Sequence, residues 1–509
     1  MRLPDLTAKR ADLDGDRPAL VDPDRGREFT YAQLEERAGR AAEFLRDEWG
    51  VTTGSRVATL AHNRTDAVEL LFACAKLGAV LVPLNWRLAR AELEYILRDA
   101  DPLGVVHDTA HAETAARLAA TVPGEHGPLR LLSFDDDGTD AAYEQVLAAA
   151  SGRPLVHEPR EETQLWYLMY TSGTTGKPKG VENTAGMALV NHLNIGMAAG
   201  LTADDTFLSV LPQFHTGGWN LMTLPMVFVG GTTVIPESFD PAQSIALLSE
   251  RATVFFGVPT MYQLMAEHPD FAGADLSRVR SWSSGGAAMP VPLLERLDRK
   301  GVQVRQGMGM TETGPTVFLL DEAHAVTKAG SVGKPQPFVD VRIVDADGRD
   351  VAPGDRGELL FRGPGVTPGY WRMPEATETA FEDGGWLRSG DIARQDDDGF
   401  YYIVDRAKDM YISGGENVYP AEVEAVIVRL PGVRGVAVVG VPDGRWGEVG
   451  RAVIELEDGA ELDPEQVREH CRAHLAKFKV PVHVEVVQAL PRNATGKILK
   501  HVLRAAADA

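Results

Sequence analysis

The sequence predicts an α/β protein: a large N-terminal domain of two doubly wound sheets and a barrel-like antiparallel portion, then a small α+β domain. Three observations predict this. Strand and helix patterns alternate in two rounds before residue 330, short strands broken by Asp-Gly and Pro-Gly turns follow, and the C-terminal part has its own helices and strands. A length of 509 residues, at roughly 150 per domain, allows about three domains.

The first round of strands and helices lies between residues 30 and 160. The segment TYAQLEERAGRAAEFLRDEWG has apolar residues at helical spacing and ends at Gly50, which is typical of a capped helix. A strand at SRVATLAH, a helix at DAVELLFACAKLGAV and a strand at LVPLN are predicted next. The second round has strands at TTVIP and TVFFGVP and helices at PAQSIALLSERA and TMYQLMAEHP. Two rounds favour two sheets rather than one.

The later part of the chain changes in pattern. The segment VDVRIVDADGRDVAPGDRGELLFRG predicts antiparallel strands, and we place a barrel-like portion at about residues 315–405. The segments AEVEAVIVRLPG, VRGVAVVGVP, GRAVIELED and DPEQVREHCRAHLAKF then predict a helix, two strands and a helix. Polar residues and glycines concentrate in IVDRAKDMYISGGENVYP, so we expect an N-terminal domain at 1–407 and a C-terminal domain at 408–509.

The composition excludes several classes of partner. The chain has 51 Lys and Arg against 73 Asp and Glu, a net charge of −22, which repels nucleic acid and anionic membranes. Any phosphate site must then be local, built from backbone N–H groups and a few cations. Two cysteines, Cys74 and Cys471, cannot make a disulfide framework, and we expect a cytoplasmic protein.

One uncharged stretch, residues 216–236, is long enough to cross a bilayer. Asn220, Pro225 and the Gly230–Gly231 pair interrupt it. We therefore expect two short buried elements joined by a turn, and no membrane span.

The strongest local motif is YTSGTTGKPKG, residues 170–180. Its glycines let backbone N–H groups turn toward an anion, its hydroxyls add donors and its lysines add charge. It is not a Walker loop, because Gly173 and Gly176 enclose two residues and Pro178 follows Lys177. A flexible polar hairpin is the alternative, but the combination of residues favours a phosphate-binding loop.

This loop resembles the phosphate-binding signature of the adenylate-forming superfamily, which includes acyl- and aryl-CoA synthetases, peptide-synthetase adenylation domains and luciferases. Further segments are similar in the same order: QGMGMTET, GELLFRGPGVTPGYW, GWLRSGD, DRAKDMYISGGENVYPAEVE and LPRNATGKILK. The resemblance covers essentially the whole chain and is nearest to medium- or long-chain fatty acyl-CoA synthetase-like ligases. It implies a distorted antiparallel β-barrel and a small, mobile C-terminal domain.

The resemblance also implies roles for individual residues. Thr311 matches a phosphate contact, Glu312 a Mg²⁺ ligand, Asp391 a ribose contact, Arg406 a ribose and phosphate contact, and Lys497 the catalytic lysine. The residues expected to be catalytic are Lys497, Glu312, Thr171 and His215. The residues expected to bind ATP or AMP are Thr171, Ser172, Gly173, Thr174, Thr175, Gly176, Lys177, Lys179, Gly285, Gly286, Ala287, Gly307, Met308, Gly309, Met310, Thr311, Asp391, Arg406 and Lys497. The alternatives are a helix-start acid for Glu312, a turn or cap residue for Asp391 and a solvated lysine for Lys497.

Met308 departs from the family pattern, because that position usually carries an aromatic residue that stacks on adenine. A methionine can still cover a ring through its polarisable sulfur, although it lacks a planar face. The resemblance further places Lys408 at the interdomain hinge and Ser413, Gly414 and Gly415 along a tunnel for the pantetheine of CoA.

The acyl pocket is expected near LPQFHTGGWN, which carries His215 and Trp219. A hydrogen-bonded core histidine and a packed core tryptophan are the alternatives. The full set of expected pocket residues is His215, Trp219, Val258, Trp282 and Thr313. The peptide-synthetase adenylation domains that the sequence resembles place an Asp near this position to pair the α-ammonium group of their substrate. FHTGG has no such carboxylate, so the resemblance disfavours an α-amino acid substrate.

The resemblance implies an ATP-dependent carboxylate–CoA ligase that uses ATP, Mg²⁺ and CoA on a small carboxylic acid of medium-chain or aryl type. The substrate carboxylate attacks the α-phosphate itself, so catalysis is positioning and charge neutralisation. The alternatives are transfer to a carrier-protein thiol, an amine or another acceptor, and nucleotide binding without turnover.

Overall fold

The computed structural model describes residues 1–124, 127–136, 138, 140–152, 160–172, 178–406, 409–413, 416–493 and 496–506. It contains two large sheets covered by helices, an antiparallel sheet and a C-terminal α+β unit. Two short hairpin-like pairs stand apart from these sheets: Arg2–Leu3 with Arg160–Glu161, and Pro123–Gly124 with Gly127–Pro128.

The first sheet has six strands, and the adjacent pairs at its centre run parallel. Ala58 pairs with Val82 on one side and with Val105 on the other. In spatial order the strands are Pro178–Thr184, Leu165–Ser172, Val80–Pro83, Arg56–Leu60, Gly104–His107 and Arg130–Ser133. Its helices are Tyr31–Asp47, Thr65–Lys76, Arg90–Ala100, Ala112–Thr121 and Tyr143–Ala149.

The helix Tyr31–Asp47 shows why the local sequence folds as predicted. Thr30 accepts from the Gln33 backbone N–H while the Gln33 side chain accepts from the Thr30 backbone, which is a complete capping box. Gly50 takes a φ of +67° just beyond the helix, a conformation that favours glycine. Leu34, Ala38, Ala41 and Leu45 form the buried face.

The second sheet has nine strands, parallel at its centre and antiparallel at both ends. In spatial order they are Lys334–Pro335, Phe318–Leu319, Val304–Met308, Ser281–Ser284, Val254–Gly257, Thr206–Leu208, Thr232–Val234, Pro18–Asp22 and Arg27–Thr30. The accompanying helices are Leu6–Asp14, Ala185–Ala199, Thr223–Val229, Pro241–Glu250, Pro259–Glu267, Pro269–Gly273 and Val291–Asp298. The two rounds of strand and helix thus form two sheets, as predicted.

The uncharged stretch 216–236 contains a helical part and the strand Thr232–Val234, and a turn at Gly230–Gly231 joins them, as predicted. Gly217–Leu221 is one turn of π-helix, Thr223–Val229 is an α-helix, and Gly230 ends it. Within the part of the chain that the structure describes, no helix combines the length and apolar character that crossing a membrane requires.

The antiparallel sheet is smaller than the barrel-like portion predicted at 315–405. Its strands are Asp340–Val344, Arg356–Arg362, Trp386–Gln395, Phe381–Glu382 and Tyr401–Arg406, with the helix Pro374–Ala380. Phe318–Leu319 and Lys334–Pro335, which we expected in the barrel, instead extend the second large sheet. The reason is that Phe318 pairs with Met308 at the end of a central strand, which is not visible in local strand patterns.

The C-terminal unit combines a five-stranded sheet with three helices. Its strands are Tyr411–Ser413, Glu416–Val418, Val433–Asp443, Gly447–Leu456 and His483–Val487, and its helices are Pro420–Ile427, Pro464–His474 and Lys500–Ala505. Among the described residues, the 3-10 turns are Thr109–His111, Thr311–Thr313, Glu322–His324 and Lys477–Lys479. This unit touches the preceding sheet, since the backbone N–H of Ala421 donates to Asp405 at 2.8 Å and Arg356 lies 3.4 Å from Glu422.

Candidate active site

The predicted phosphate-binding loop connects two antiparallel strands, Leu165–Ser172 and Pro178–Thr184. Thr171 lies opposite Lys179 in this pair, so a hydroxyl and an ammonium group stand together at its base. The predicted nucleotide contacts Gly173, Thr174, Thr175, Gly176 and Lys177, and the side chain of Ser172, lie outside the described residues.

Tyr370 contacts both Lys179 and the predicted Mg²⁺ ligand Glu312. Lys179 Nζ lies 4.8 Å from the centre of the Tyr370 ring, and the Tyr370 hydroxyl donates to Glu312 Oε1 at 3.0 Å. Burial raises the pKa of Glu312, while the Tyr370 hydrogen bond and the charges of Arg406 and Lys179 oppose this increase. Tyr370 was missed by the sequence analysis, although it lies within the matched segment GELLFRGPGVTPGYW.

The Thr311–Thr313 turn holds Glu312 at the end of a central strand. The Thr313 hydroxyl donates to the Met310 carbonyl at 3.0 Å and accepts from the Met310 backbone N–H at 3.0 Å. Thr311 is half-buried beside the buried Glu312. The turn therefore presents one hydroxyl and one carboxylate at the end of the second sheet.

Asp391 and Arg406 lie opposite each other in adjacent antiparallel strands. Arg406 Nε is 2.6 Å from Asp391 Oδ1. Burial raises the pKa of Asp391, and the positive charges of Arg406 and Lys497 oppose this. Because Arg406 also acts on Glu312, its guanidinium links the predicted ribose contact to the predicted metal ligand.

Lys497 lies in a tight loop of the C-terminal unit. Its backbone N–H donates to Asn493 Oδ1 at 2.9 Å, and its carbonyl accepts from the Asn493 backbone N–H at 2.8 Å. The preceding Gly496 faces Thr260, on the N-terminal helix Pro259–Glu267: a Cβ on this glycine would lie 2.7 Å from Thr260 Oγ1. The loop therefore docks on the N-terminal domain and brings Lys497 to Asp391.

The predicted adenine side is built from close backbone contacts. A Cβ on Gly285 would lie 3.0 Å from the Phe256 ring and 3.2 Å from the Gly307 carbonyl. The residues Gly307, Met308, Gly309, Met310 and Thr311 are all half-buried, and Gly286 and Ala287 are exposed. Met308 packs against the apolar core beneath the antiparallel sheet. Gly286 and Ala287, which we expect beside the nucleotide and call the ring-binding stretch, are thus open.

His215 lies in the loop after the second sheet's strand Thr206–Leu208. Burial lowers the pKa of its imidazole to about 4, and the charge of Arg87 adds to this effect, so the ring is neutral at neutral pH. Its Nε2 is buried and makes no hydrogen bond to a described residue. A buried ring nitrogen of this kind is ready to pair with a ligand.

Three other residues predicted for the pocket lie in three different apolar clusters. Val258 has its Cγ1 3.7 Å from the position that a Cβ on Gly286 would occupy, so it stands beside the ring-binding stretch. Trp219 is fully buried, and its indole N–H donates to the Gln213 carbonyl. The Trp282 ring lies 5.8 Å from the Phe255 ring in another apolar cluster. The pocket roles of these residues stay predictions.

The remaining predicted residues concern CoA and the hinge. Ser413 is buried at the end of the strand Tyr411–Ser413, opposite Glu416 and Gly447. Lys408, Gly414 and Gly415 lie outside the described residues.

Comparison with known proteins decides the family. The sequence model of the "AMP-binding enzyme" family matches residues 7–371, and that of the "AMP-binding enzyme C-terminal domain" matches residues 422–497. The chain belongs to the AMP-binding enzyme family. The predicted resemblance to adenylate-forming enzymes is thereby confirmed, as is the predicted fold class of a large N-terminal and a small C-terminal domain.

The relatives of this AMP-binding enzyme are CoA ligases. It is 44% identical over 480 residues to a feruloyl-CoA synthase of Amycolatopsis sp., with 94% of each chain covered. It is 39% identical over 511 residues to the long-chain-fatty-acid–CoA ligase FadD13 of Mycobacterium tuberculosis, which covers 98% of this chain and 97% of the relative. The solved structure of ATP-bound MatB from Rhodopseudomonas palustris superposes with a TM-score of 0.91 at 33% identity, covering 99% of both chains.

This AMP-binding enzyme is an ATP-dependent carboxylate–CoA ligase: it forms an acyl-adenylate with release of pyrophosphate and then a CoA thioester. It uses ATP, Mg²⁺ and CoA. The described residues fit Mg²⁺, since Glu312 offers a carboxylate oxygen beside the phosphate loop and Mg²⁺ commonly takes one or two carboxylates together with nucleotide oxygens. Mg²⁺ bound there would neutralise phosphate charge.

Proposed function

We propose that this ligase activates an aromatic carboxylic acid of the hydroxycinnamate type, and that the two half-reactions use two positions of the C-terminal domain. The observation that carries the first half-reaction is the charge arrangement around two buried carboxylates. Lys179 and Arg406 act on Glu312, while Arg406 and Lys497 act on Asp391. Cations from both domains therefore converge where a triphosphate and a ribose would lie.

In the first half-reaction the substrate carboxylate attacks the α-phosphate of ATP, and pyrophosphate leaves. Thr171 and Lys179 hold phosphate oxygens at the base of the loop, and Asp391 accepts from the ribose hydroxyls. Lys497 brings a positive charge to the bridging oxygen as it departs. No protein nucleophile is required, because the reacting groups belong to the two substrates.

In the second half-reaction the thiol of CoA attacks the acyl carbon, and AMP leaves. We propose that the C-terminal domain turns about Lys408 and replaces Lys497 by the loop that follows Ser413. His215 stays neutral because of its burial and offers a ring nitrogen to the acyl or thiol group. This exchange separates the residues needed for each step.

The choice of an aromatic acid rests on the pocket and on the relatives. Leu211, Phe256 and Val258 belong to one apolar cluster that borders the ring-binding stretch at Gly286, and a neutral His215 suits an uncharged acyl group. Such a wall accommodates an aromatic ring or an aliphatic chain. The 44% identity to a feruloyl-CoA synthase exceeds the 39% identity to a long-chain-fatty-acid–CoA ligase, which favours the aromatic acid.

Lys497→Ala tests the two-position scheme. Acyl-AMP formation, measured by pyrophosphate release without CoA, should fall at least 100-fold, since the charge on the departing oxygen is lost. Thioester formation from synthetic acyl-AMP and CoA should stay within about threefold of wild type. Lys477→Ala is a matched control, because this lysine is exposed on the C-terminal unit. Equal loss in both half-reactions would contradict the scheme.

A substrate screen tests the acyl group. Ferulate, benzoate, octanoate and palmitate are compared by kcat/KM for CoA thioester formation, with product mass as the readout. The proposal expects ferulate to exceed both fatty acids by at least tenfold. Preference for a fatty acid would leave the ligase activity intact and reject the aromatic assignment. We also place the enzyme in the cytoplasm, in keeping with two buried thiols that form no disulfide.

A further inference from the structure

A second group of chemically active side chains lies where strands of the first sheet end, and the ligase reaction described above does not use it. His62 follows the strand Arg56–Leu60, Asp108 follows the strand Gly104–His107, and His111 ends the 3-10 turn that Asp108 caps. The topology therefore brings residues from two parallel strands to one edge.

The three side chains are arranged around one carboxylate. His62 Nδ1 lies 2.8 Å from Asp108 Oδ2, and His111 Nδ1 lies 2.5 Å from Asp108 Oδ1. One ligand atom from each residue lies within 4.8 Å of the others. Their side chains are 21%, 5% and 12% exposed in the order His62, Asp108, His111, so the group is accessible from one side only.

The surroundings favour a cation. Asp108 is a buried carboxylate that offers one oxygen to each of the two imidazoles. Glu237 from the second sheet adds another carboxylate, with Oε1 3.9 Å from His62 Nδ1. The Trp86 ring lies 4.5 Å from His62 and 5.4 Å from His111, and it covers one flank.

The pair Asp321 and His324 shows that capping of a 3-10 turn is enough to place one histidine beside an aspartate. Asp321 caps the turn Glu322–His324, and His324 Nδ1 lies 2.6 Å from Asp321 Oδ1, just as in the pair Asp108 and His111. That pair is exposed, at 43% and 52%. Capping therefore accounts for one histidine beside Asp108, but it does not account for His62.

We propose that His62, Asp108 and His111 bind a divalent transition-metal ion of the zinc type, with Glu237 or water as the fourth ligand. Two imidazole nitrogens and a carboxylate oxygen match the ligand preference of zinc. Zinc bonds of about 2.0–2.1 Å place tetrahedral ligands roughly 3.3 Å apart. The nitrogen–oxygen distances of 2.8 and 2.5 Å must therefore widen by about 0.5 and 0.8 Å, and each neutral imidazole must carry its proton on Nε2 so that Nδ1 can bind the ion.

The site would connect the two sheets beside the acyl pocket. Asn63, next to His62, donates through its side chain to the Leu211 carbonyl at 3.0 Å and accepts from the Gln213 backbone N–H at 2.9 Å. Gln213 lies two residues before His215. An ion that fixes His62 therefore also restrains the segment that carries His215.

Calorimetric titration of the full chain with Zn²⁺, after removal of any affinity tag, tests the proposal. We expect one equivalent of tight binding, and Co²⁺ in the same site should give the visible absorption of a tetrahedral complex. Loss of an outer partner typically costs 10–100-fold in metal affinity, so His62→Ala and His111→Ala should each weaken binding at least tenfold. His62→Gln replaces His62→Ala if circular dichroism shows that the alanine variant is unfolded.

Two control variants decide where the ion binds. His324→Ala removes the capping pair without a second histidine and should leave zinc affinity unchanged. His470 and His474 lie on one helix with ring centres 4.4 Å apart, and they are the natural competing site. Loss of binding in His474→Ala, unchanged binding in the His62 and His111 variants, or no binding by wild type would each overturn the proposal.

Discussion

Replacing Gly496 by alanine tests how the loop that carries Lys497 docks on the N-terminal domain. The added Cβ would lie 2.7 Å from Thr260 Oγ1 and 3.4 Å from Thr260 Cβ. Threonine has two heavy atoms on its Cβ and few favoured torsions, so moving its hydroxyl away from the new methyl group requires a change of rotamer. Overpacking of this kind costs about 1–3 kcal/mol, and about 1.4 kcal/mol corresponds to a factor of ten in rate. The contact alone should therefore lower acyl-AMP formation roughly 5- to 150-fold.

The backbone contributes a second cost that the design separates from the contact. Gly496 has a φ of +78°, and a left-handed conformation costs a non-glycine residue about 1–2 kcal/mol. Thr260→Ala removes the hydroxyl that the new methyl group meets. The double variant Thr260→Ala/Gly496→Ala should recover the part of the loss due to the contact and keep the part due to the backbone. Thr260→Ala alone should behave like wild type.

The assay follows the two half-reactions separately. Pyrophosphate release without CoA reports acyl-AMP formation, and thioester formation from synthetic acyl-AMP reports the second step. In the proposed two-position scheme the docked loop belongs to the first step, so only that step should respond to Gly496→Ala. Equal losses in both steps, or no recovery in the double variant, would refute the docking interpretation.

Three other predictions follow from the site. Tyr370→Phe removes a hydrogen bond to the Glu312 carboxylate, which is worth about 1.5–3 kcal/mol for a charged acceptor. KM for MgATP should therefore rise roughly tenfold or more. Titration with Mg²⁺ should also show that the variant binds MgATP more weakly. Arg406→Met removes a positive charge that lowers the pKa of Asp391, so Asp391 should become protonated at higher pH in the variant. ATP affinity measured by calorimetry should then fall more steeply below pH 7 than in wild type. Parallel plots of affinity against pH for the two proteins would contradict this role of Arg406. His215 has a pKa of about 4 in the fold and about 6.5 in the unfolded chain, so the unfolded chain binds the proton first as the pH falls. The free energy of unfolding should therefore decrease between pH 6.5 and pH 4. Denaturant titrations should show a loss of up to about 2 kcal/mol at pH 5 that is absent in His215→Gln.

The sheets were predictable because their signals are local. Helical spacing, a capping residue and Gly50 define Tyr31–Asp47, and they act within one segment. The end of the second sheet was not predictable in this way. Phe318 joins it by pairing with Met308 across a turn, and a short strand there looks the same whichever sheet it joins.

The candidate site likewise combines residues that local motifs identify with residues that only the folded chain brings together. Motifs placed Glu312, Asp391 and Lys497 because each lies in a distinctive segment. Tyr370 was missed, since its hydroxyl reaches Glu312 only after two distant segments fold together. The Trp282 ring lies 5.8 Å from the Phe255 ring in an apolar core cluster, and its predicted role in the pocket stays a prediction.

Charge balance at the site gives a physical reason for the order of the two half-reactions. Asp391 is a buried carboxylate that is stabilised by Arg406 from the N-terminal domain and by Lys497 from the C-terminal domain. ATP adds negative charge at this place and strengthens the hold on Lys497, whereas departing pyrophosphate removes most of that charge. Asp391 alone, already 2.6 Å from Arg406, then provides a weaker attraction for Lys497. We infer that completion of the first step itself releases the C-terminal domain, so that the thiol enters only after the adenylate has formed.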